Sequence, residues 1–234
     1  MKEFKNVVSL GSFCSPAMEI ERISLRKRSY PFDWLICPSF ETVVDLIENK
    51  FNGFLSYESF YQMKKHPAYY RNVALNIDFY HDFSMYKSID KQFEAFKTKY
   101  ERRISRFYKD ICEPTLFLRY VTSYDVEYIE SNHEKIEALL KSFNPQNKLI
   151  YIQNKGESAI TKGQAYVVEK DEGDSVARQF LKKAPELLSY LLENVEPAES
   201  MPKKKSRFVK KLKSIIRRMR KKLGWYYHHH KAID

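Results

Sequence analysis

Strand-like runs alternating with helix-like stretches predict an α/β domain, a largely parallel sheet flanked by helices. Three observations carry that expectation. Val7-Val8-Ser9-Leu10, Thr115-Leu116-Phe117-Leu118-Arg119-Tyr120-Val121 and Lys148-Leu149-Ile150-Tyr151-Ile152 read as short strands. Between them, apolar residues recur at helical spacing, most clearly Phe93, Phe96, Tyr100, Ile104, Phe107 and Ile111. The chain of 234 residues is also long enough for one good-sized core plus an appendage.

Each element has a local reason. Gly11 permits a sharp turn after the first strand, and Ser15-Pro16 has the residue types of a helix N-cap and first helical position, with the Glu19 carboxylate nearby. Arg28-Ser29-Tyr30-Pro31-Phe32-Asp33-Trp34 is an aromatic loop. Ser39 or Glu41 opens a helix carrying Val43, Val44, Leu46 and Ile47 that ends near Asn52-Gly53. Residues 54–72 are aromatic and irregular. Val73 to Asp82 alternates apolar and polar residues, as a strand ending in polar groups does. Asp90 is expected to cap the long helix, a further helix spans about Glu134–Phe143, and Ala165–Val168 and Ser175–Leu192 supply a last strand and helix. Glu196-Pro197-Ala198-Glu199-Ser200-Met201-Pro202 has linker composition. The expected organisation is therefore a domain over 1–196, a linker over 197–202 and a tail over 203–234.

Composition narrows the function. With 17 Tyr and 16 Phe, the core should be rich in aromatics. Three cysteines without paired spacing argue against a disulfide framework and a zinc site. The first residues lack a signal-peptide-like apolar stretch, which points to the cytoplasm. The net charge of +11 is concentrated: Lys203–Lys222 holds twelve Lys and Arg and no acid. Lys231 and Asp234 cancel, so residues 1–202 carry −1. A globally basic, nucleic-acid-binding globule is excluded.

In parallel sheets, ligands gather beyond the C-terminal strand ends. The expected rim carries Cys14, then His81 and Asp82, then Arg119, Thr122 and Ser123, then Gln153 and Asn154. A thiol at a strand-to-helix junction faces unpaired N–H groups and the positive end of the helix dipole, both of which favour the nucleophilic thiolate. The competing reading is a small packed residue. A Cys–His pair works because imidazole takes the thiol proton and later protonates the leaving group. By triad logic a third group orients the imidazole. Asn154 ranks ahead of Asp125, and Asp82 would face the wrong way from its neighbour His81.

The order Ser9-Leu10-Gly11-Ser12-Phe13-Cys14, Pro31-Phe32-Asp33-Trp34, His81-Asp82, Arg102-Arg103 with Arg106, and Leu116-Phe117-Leu118-Arg119-Tyr120 resembles a family of bacterial proteins described as papain-like cysteine peptidases. The resemblance covers about residues 5–155. It implies that Cys14 is the nucleophile and His81 the base. It also brings an alternative fold, the papain-like α+β arrangement with its cysteine at the start of a central helix and a mostly antiparallel sheet. Such proteins are often encoded beside surface-glycan genes. The implied reaction is hydrolysis or acyl or amide transfer in surface-polysaccharide assembly, on a glycan, peptide or phosphorylated substrate.

Three residues are candidates for substrate contact. Arg119, inside an apolar strand, needs an anionic partner: a protein carboxylate such as Asp33, or a substrate phosphate. Asp33 is a site carboxylate or a buried loop anchor. Arg106 could reach a phosphate or carboxylate from a helix face that solvation otherwise explains. A sugar-binding assembly factor and a phosphate-holding glycosyl- or phosphotransferase are the competing functions. No metal or cofactor is expected. In the tail, Phe208, Leu212, Ile215, Ile216, Met219 and Leu223 form an apolar stripe between basic faces, followed by Trp225. That pattern predicts a helix lying on the anionic inner face of the cell membrane.

Overall fold

A computed structural model describes residues 2–157, 159–170, 177 and 179–198. The tail, with the whole apolar stripe from Phe208 to Trp225 expected to bind a membrane, lies outside the described residues.

The expected parallel sheet is present. Strands β1 (Asn6–Ser9), β6 (Thr115–Tyr120), β7 (Lys148–Asn154) and β8 (Gln164–Val168) lie side by side in the order β1-β6-β7-β8, every pair parallel. Its inner strands are buried on both faces, so alternate residues feed two separate cores. Leu116, Leu118 and Tyr120 of β6, with Ile150 and Ile152 of β7, pack against helices α1 (Ser15–Arg22), α5 (Phe180–Lys183) and α6 (Pro185–Asn194). Phe117, Leu149 and Tyr151 face the other way, towards α2 (Phe40–Glu48), α3 (Phe93–Ile111) and α4 (Val126–Phe143).

Between β1 and β6 the chain builds a second, antiparallel sheet from β2 (Leu35–Ile36), β3 (Phe60–Gln62), β4 (Tyr70–Asn72) and β5 (Ile77–Phe79), in the order β2-β5-β4-β3. This corrects two expectations. Residues 54–72 are not irregular throughout, and the strand read over 73–82 is only Ile77–Phe79, outside the parallel sheet. Residues 73–76 form a turn, with Asn76 in the left-handed region at φ 52°. The aromatic core is here: Phe54, Phe60, Phe79, Phe83, Phe93, Phe96 and Tyr100 join the short sheet to α3 through edge-to-face, tilted and stacked ring contacts.

Helix ends differ in detail. Ser39 caps α2, its Oγ accepting from Thr42 N at 3.2 Å, and the helix stops at Glu48 rather than near Gly53. Gln92, not Asp90, precedes α3. The Gln92 side chain spans the approach, accepting from Ser84 N at 2.6 Å and donating to Lys87 O at 2.7 Å, while Asp90 takes the Tyr57 hydroxyl. Helix α4 starts eight residues earlier than expected. Pro185 separates α5 from α6 where one helix was expected, because its ring cannot continue the preceding helix.

Candidate active site

The chain leaves β1 through Gly11 (φ 74°) and Ser12 (φ 65°), two consecutive left-handed residues. Gly11 is needed there, since a Cβ would sit 3.3 Å from Phe32 O. Phe13 follows and packs on Tyr120 with ring centroids 4.9 Å apart. Cys14 then occupies the N-cap position of α1, placing Ser15 and Pro16 inside the helix; Ser15 is therefore not the cap. No side chain caps this end. The backbone N–H groups of Ser12, Phe13, Ser15 and Ala17 donate to no acceptor among the described residues. The Cys14 N–H serves only its own sulfur.

The half-buried thiol departs from the thiolate expectation. Burial pushes the Cys14 pKa above its ordinary value, and the Cys14 amide only partly opposes this. Burial disfavours the sulfur anion because a charge removed from water loses its hydration. A protonated resting thiol needs a base.

His81 does not hydrogen-bond to Cys14. It is exposed in the bend after β5, in the antiparallel sheet, with its ring edge-on to Trp34 at 6.1 Å. The expected rim therefore loses His81 and Asp82. The Asp82 carboxylate is buried in an ionic knot, held by Lys99 Nζ at 2.5 Å and the Tyr100 hydroxyl at 3.0 Å, with Arg103 Nη1 3.9 Å away. Of the other described imidazoles, His66 Nδ1 accepts from Ala68 N and His133 Nδ1 meets the Tyr151 hydroxyl, whereas neither His81 nitrogen has a hydrogen bond. Asn154 ends β7 on the opposite side of the parallel sheet from the antiparallel one. Its Oδ1 accepts from the Tyr120 hydroxyl and its side chain also meets Glu157, so it does not orient His81.

Arg119 is completely buried and corrects the substrate-contact expectation. Its fork grips Asp125 through Nε (3.1 Å) and Nη2 (2.8 and 3.0 Å). The remaining N–H groups reach Leu10 O (3.1 Å), Cys37 O (3.3 Å from each Nη) and Pro38 O (3.1 Å), and the guanidinium lies 4.9 Å over the Phe40 ring. All five donors are engaged, leaving none for a phosphate. Asp125, rather than Asp33, is the partner. A sequence signal for it existed: an acid directly before the apolar periodicity of Val126, Ile129 and Ile136, the position of a helix cap.

Asp33 is also buried, its Oδ2 accepting from Tyr30 N at 2.8 Å and Arg26 Nη2 at 2.9 Å, which makes it a loop anchor. Burial still raises its pKa despite Arg26. Arg106 is exposed on α3 with no partner among the described residues, while Arg103 turns inward. Cys37 is buried beside Arg119, and Cys112 is exposed. Among the described residues no three His, Cys, Asp or Glu side chains cluster as metal ligands, and no helix is long and apolar enough to cross a membrane.

No solved structure matches the chain. It is 28% identical over 178 residues, 60% of this chain and 78% of the other, to the "Uncharacterized protein R408" of Acanthamoeba polyphaga mimivirus. That relative is viral, so the bacterial setting attached to the resemblance has no support from it. Residues 5–151, from β1 through most of β7 and including Cys14, His81 and Arg119, match the family described as "Putative papain-like cysteine peptidase", and the chain belongs to that family.

Proposed function

We propose that this protein is a thiol-dependent hydrolase or acyl transferase with Cys14 as its nucleophile. The carrying observation is the position of Cys14 at the uncapped head of α1, among the unengaged N–H groups of Ser12, Phe13, Ser15 and Ala17. Sγ attacks the acyl carbon, the carbonyl electron pair moves onto oxygen, and those amides receive the oxyanion. The base takes the thiol proton and returns it to the leaving group as the carbonyl reforms into a thioester. Water, or an acceptor nucleophile, then releases the acyl group.

His81 is our choice of base because its two nitrogens meet no partner among the described residues. It acts through an intervening water. Asn154 has no part in orienting it. The transferase reading with Arg119 holding phosphate is not favoured, since that guanidinium is saturated. A glycan setting is suggested only by the resemblance, and attachment to an anionic inner membrane face only by the tail sequence.

The test is acetylation by p-nitrophenyl acetate in a Cys112→Ser background, located by peptide mass. Wild type should carry a hydroxylamine-sensitive acetyl group on Cys14, absent in Cys14→Ser, and His81→Gln should slow its formation. A wild-type protein that acquires no acetyl group at Cys14 would exclude this chemistry.

A further inference from the structure

We propose that Arg119 and Asp125 are positioning residues that aim the oxyanion-binding amides of the Cys14 turn; this rests on the thiol-acyl reading above. The turn is pinned at both ends of its left-handed pair. Before Gly11, the Leu10 carbonyl accepts from Arg119 Nη1 at 3.1 Å. After Ser12, the Ser12 carbonyl accepts from Cys37 N at 3.0 Å, and the Cys37 carbonyl is gripped by Arg119 from both Nη1 and Nη2. One guanidinium therefore holds the turn directly at Leu10 and, through the Cys37 residue, at Ser12.

The consequence for the amides follows from peptide planarity. In a trans peptide the C=O and N–H point in opposite directions. With the Ser12 C=O fixed towards Cys37, the Phe13 N–H faces away from Cys37 and meets no acceptor among the described residues. Arg119 cannot adjust to a displaced turn, because Asp125 also accepts from Phe40 N (2.8 Å) and Thr122 N (3.1 Å), tying the pair to the start of α2 and the approach to α4. The pair is not among the groups that shift the Cys14 pKa, which burial raises and the residue's own amide partly lowers. Its influence is orientation, not charge.

Orientation has a signature that a merely structural role lacks. Acetylation of Cys14 by p-nitrophenyl acetate passes through an oxyanion, whereas alkylation by iodoacetamide displaces iodide at a saturated carbon and forms none. In the Cys112→Ser background, Arg119→Lys and Asp125→Asn should each slow acetylation of Cys14 by about tenfold, less than the roughly 10²–10³ for outright loss of an oxyanion donor, because the amides are misaimed rather than removed. Alkylation should stay within about twofold. Both rates are read at a temperature where circular dichroism shows the variant folded. Gly11→Ala keeps the ion pair but crowds Phe32 O at the same turn, and should show the same split if the other variants do not fold. Equal loss of both rates, or loss of neither, overturns the positioning role while leaving Cys14 as nucleophile. A wild-type Cys14 that is alkylated but never acetylated overturns both.

Discussion

Replacing Arg119 with alanine removes a fully buried cation and leaves the Asp125 carboxylate, also fully buried, without its counter-ion. Breaking a buried pair from one side costs about 3–5 kcal/mol. Asp125 keeps the Phe40 and Thr122 amides, which favours the lower half of that range. The carbonyls of Leu10, Cys37 and Pro38 lose their shared donor, at about 1–3 kcal/mol for a group left unsatisfied, which pushes back up. We expect a loss of about 4 kcal/mol and a Tm lower by roughly 10 °C for a domain of this size. Urea unfolding followed by fluorescence and circular dichroism measures it, with the slope unchanged if only stability has moved. Arg119→Met combined with Asp125→Leu should be less damaged than Arg119→Ala, because no uncompensated charge remains. An Arg119→Ala protein within about 1 kcal/mol of wild type would refute the reasoning, since only a solvated guanidinium could be lost so cheaply.

Other expectations follow from separate features. Iodoacetamide should alkylate Cys14 in the resting protein with a midpoint above that of an ordinary thiol; complete reaction below pH 8 would contradict the burial effect. Burial pushes Cys37 up to about 11, so the unfolded chain ionises this thiol first and stability should fall as pH rises from about 9 to 11. Cys37→Ala should flatten that decline in pH-dependent urea melts, and an unchanged slope would acquit Cys37. Gly163→Ala should destabilise by at least about 1–3 kcal/mol, because its Cβ would lie 2.6 Å from His133 Cε1 and 2.9 Å from Tyr151 Cε2 at φ 79°. Truncation at Pro202 should leave a folded protein that no longer sediments with anionic liposomes. Leu212→Glu with Ile216→Glu should release the full chain although all twelve basic residues remain; retained binding would make the attachment purely electrostatic.

The elements legible in the sequence were those long enough to show a period. The parallel strands β1, β6 and β7, the nineteen-residue α3 and the Ser39 cap all follow from apolar spacing or a capping residue. The second sheet did not, because strands of two or three residues carry too little alternation to separate them from a loop. That omission moved His81: the eye extends Ile77–Phe79 back through Val73 and places its end on the parallel rim, whereas Val73–Asn76 turns. A buried Arg119 demanded an anion from sequence alone, but choosing between Asp33 and Asp125 depended on which loop crosses the strand end. The sign of the Cys14 shift was likewise out of reach, since it is set by how deeply the thiol sits rather than by the helix it heads.

Strand β1 makes its ladder with β6, whose residues lie more than a hundred positions later: Asn6 pairs with Thr115 and Ser9 with Leu118. Phe4 reaches further still, with Phe4 N donating to Asn194 O and Glu196 N donating to Phe4 O. As the polypeptide emerges from a ribosome, the first strand must wait for nearly half of the protein before its neighbour exists, and for almost the whole domain before its outer end is closed. Loop-closure entropy of that size and a parallel register both slow folding. The intervening segment, with its own aromatic cluster, can condense first. Refolding should therefore show an early phase in which the Phe54–Tyr100 region is protected from hydrogen exchange while the amides of β1 are still open, and β1 should be the last part of the sheet to acquire protection.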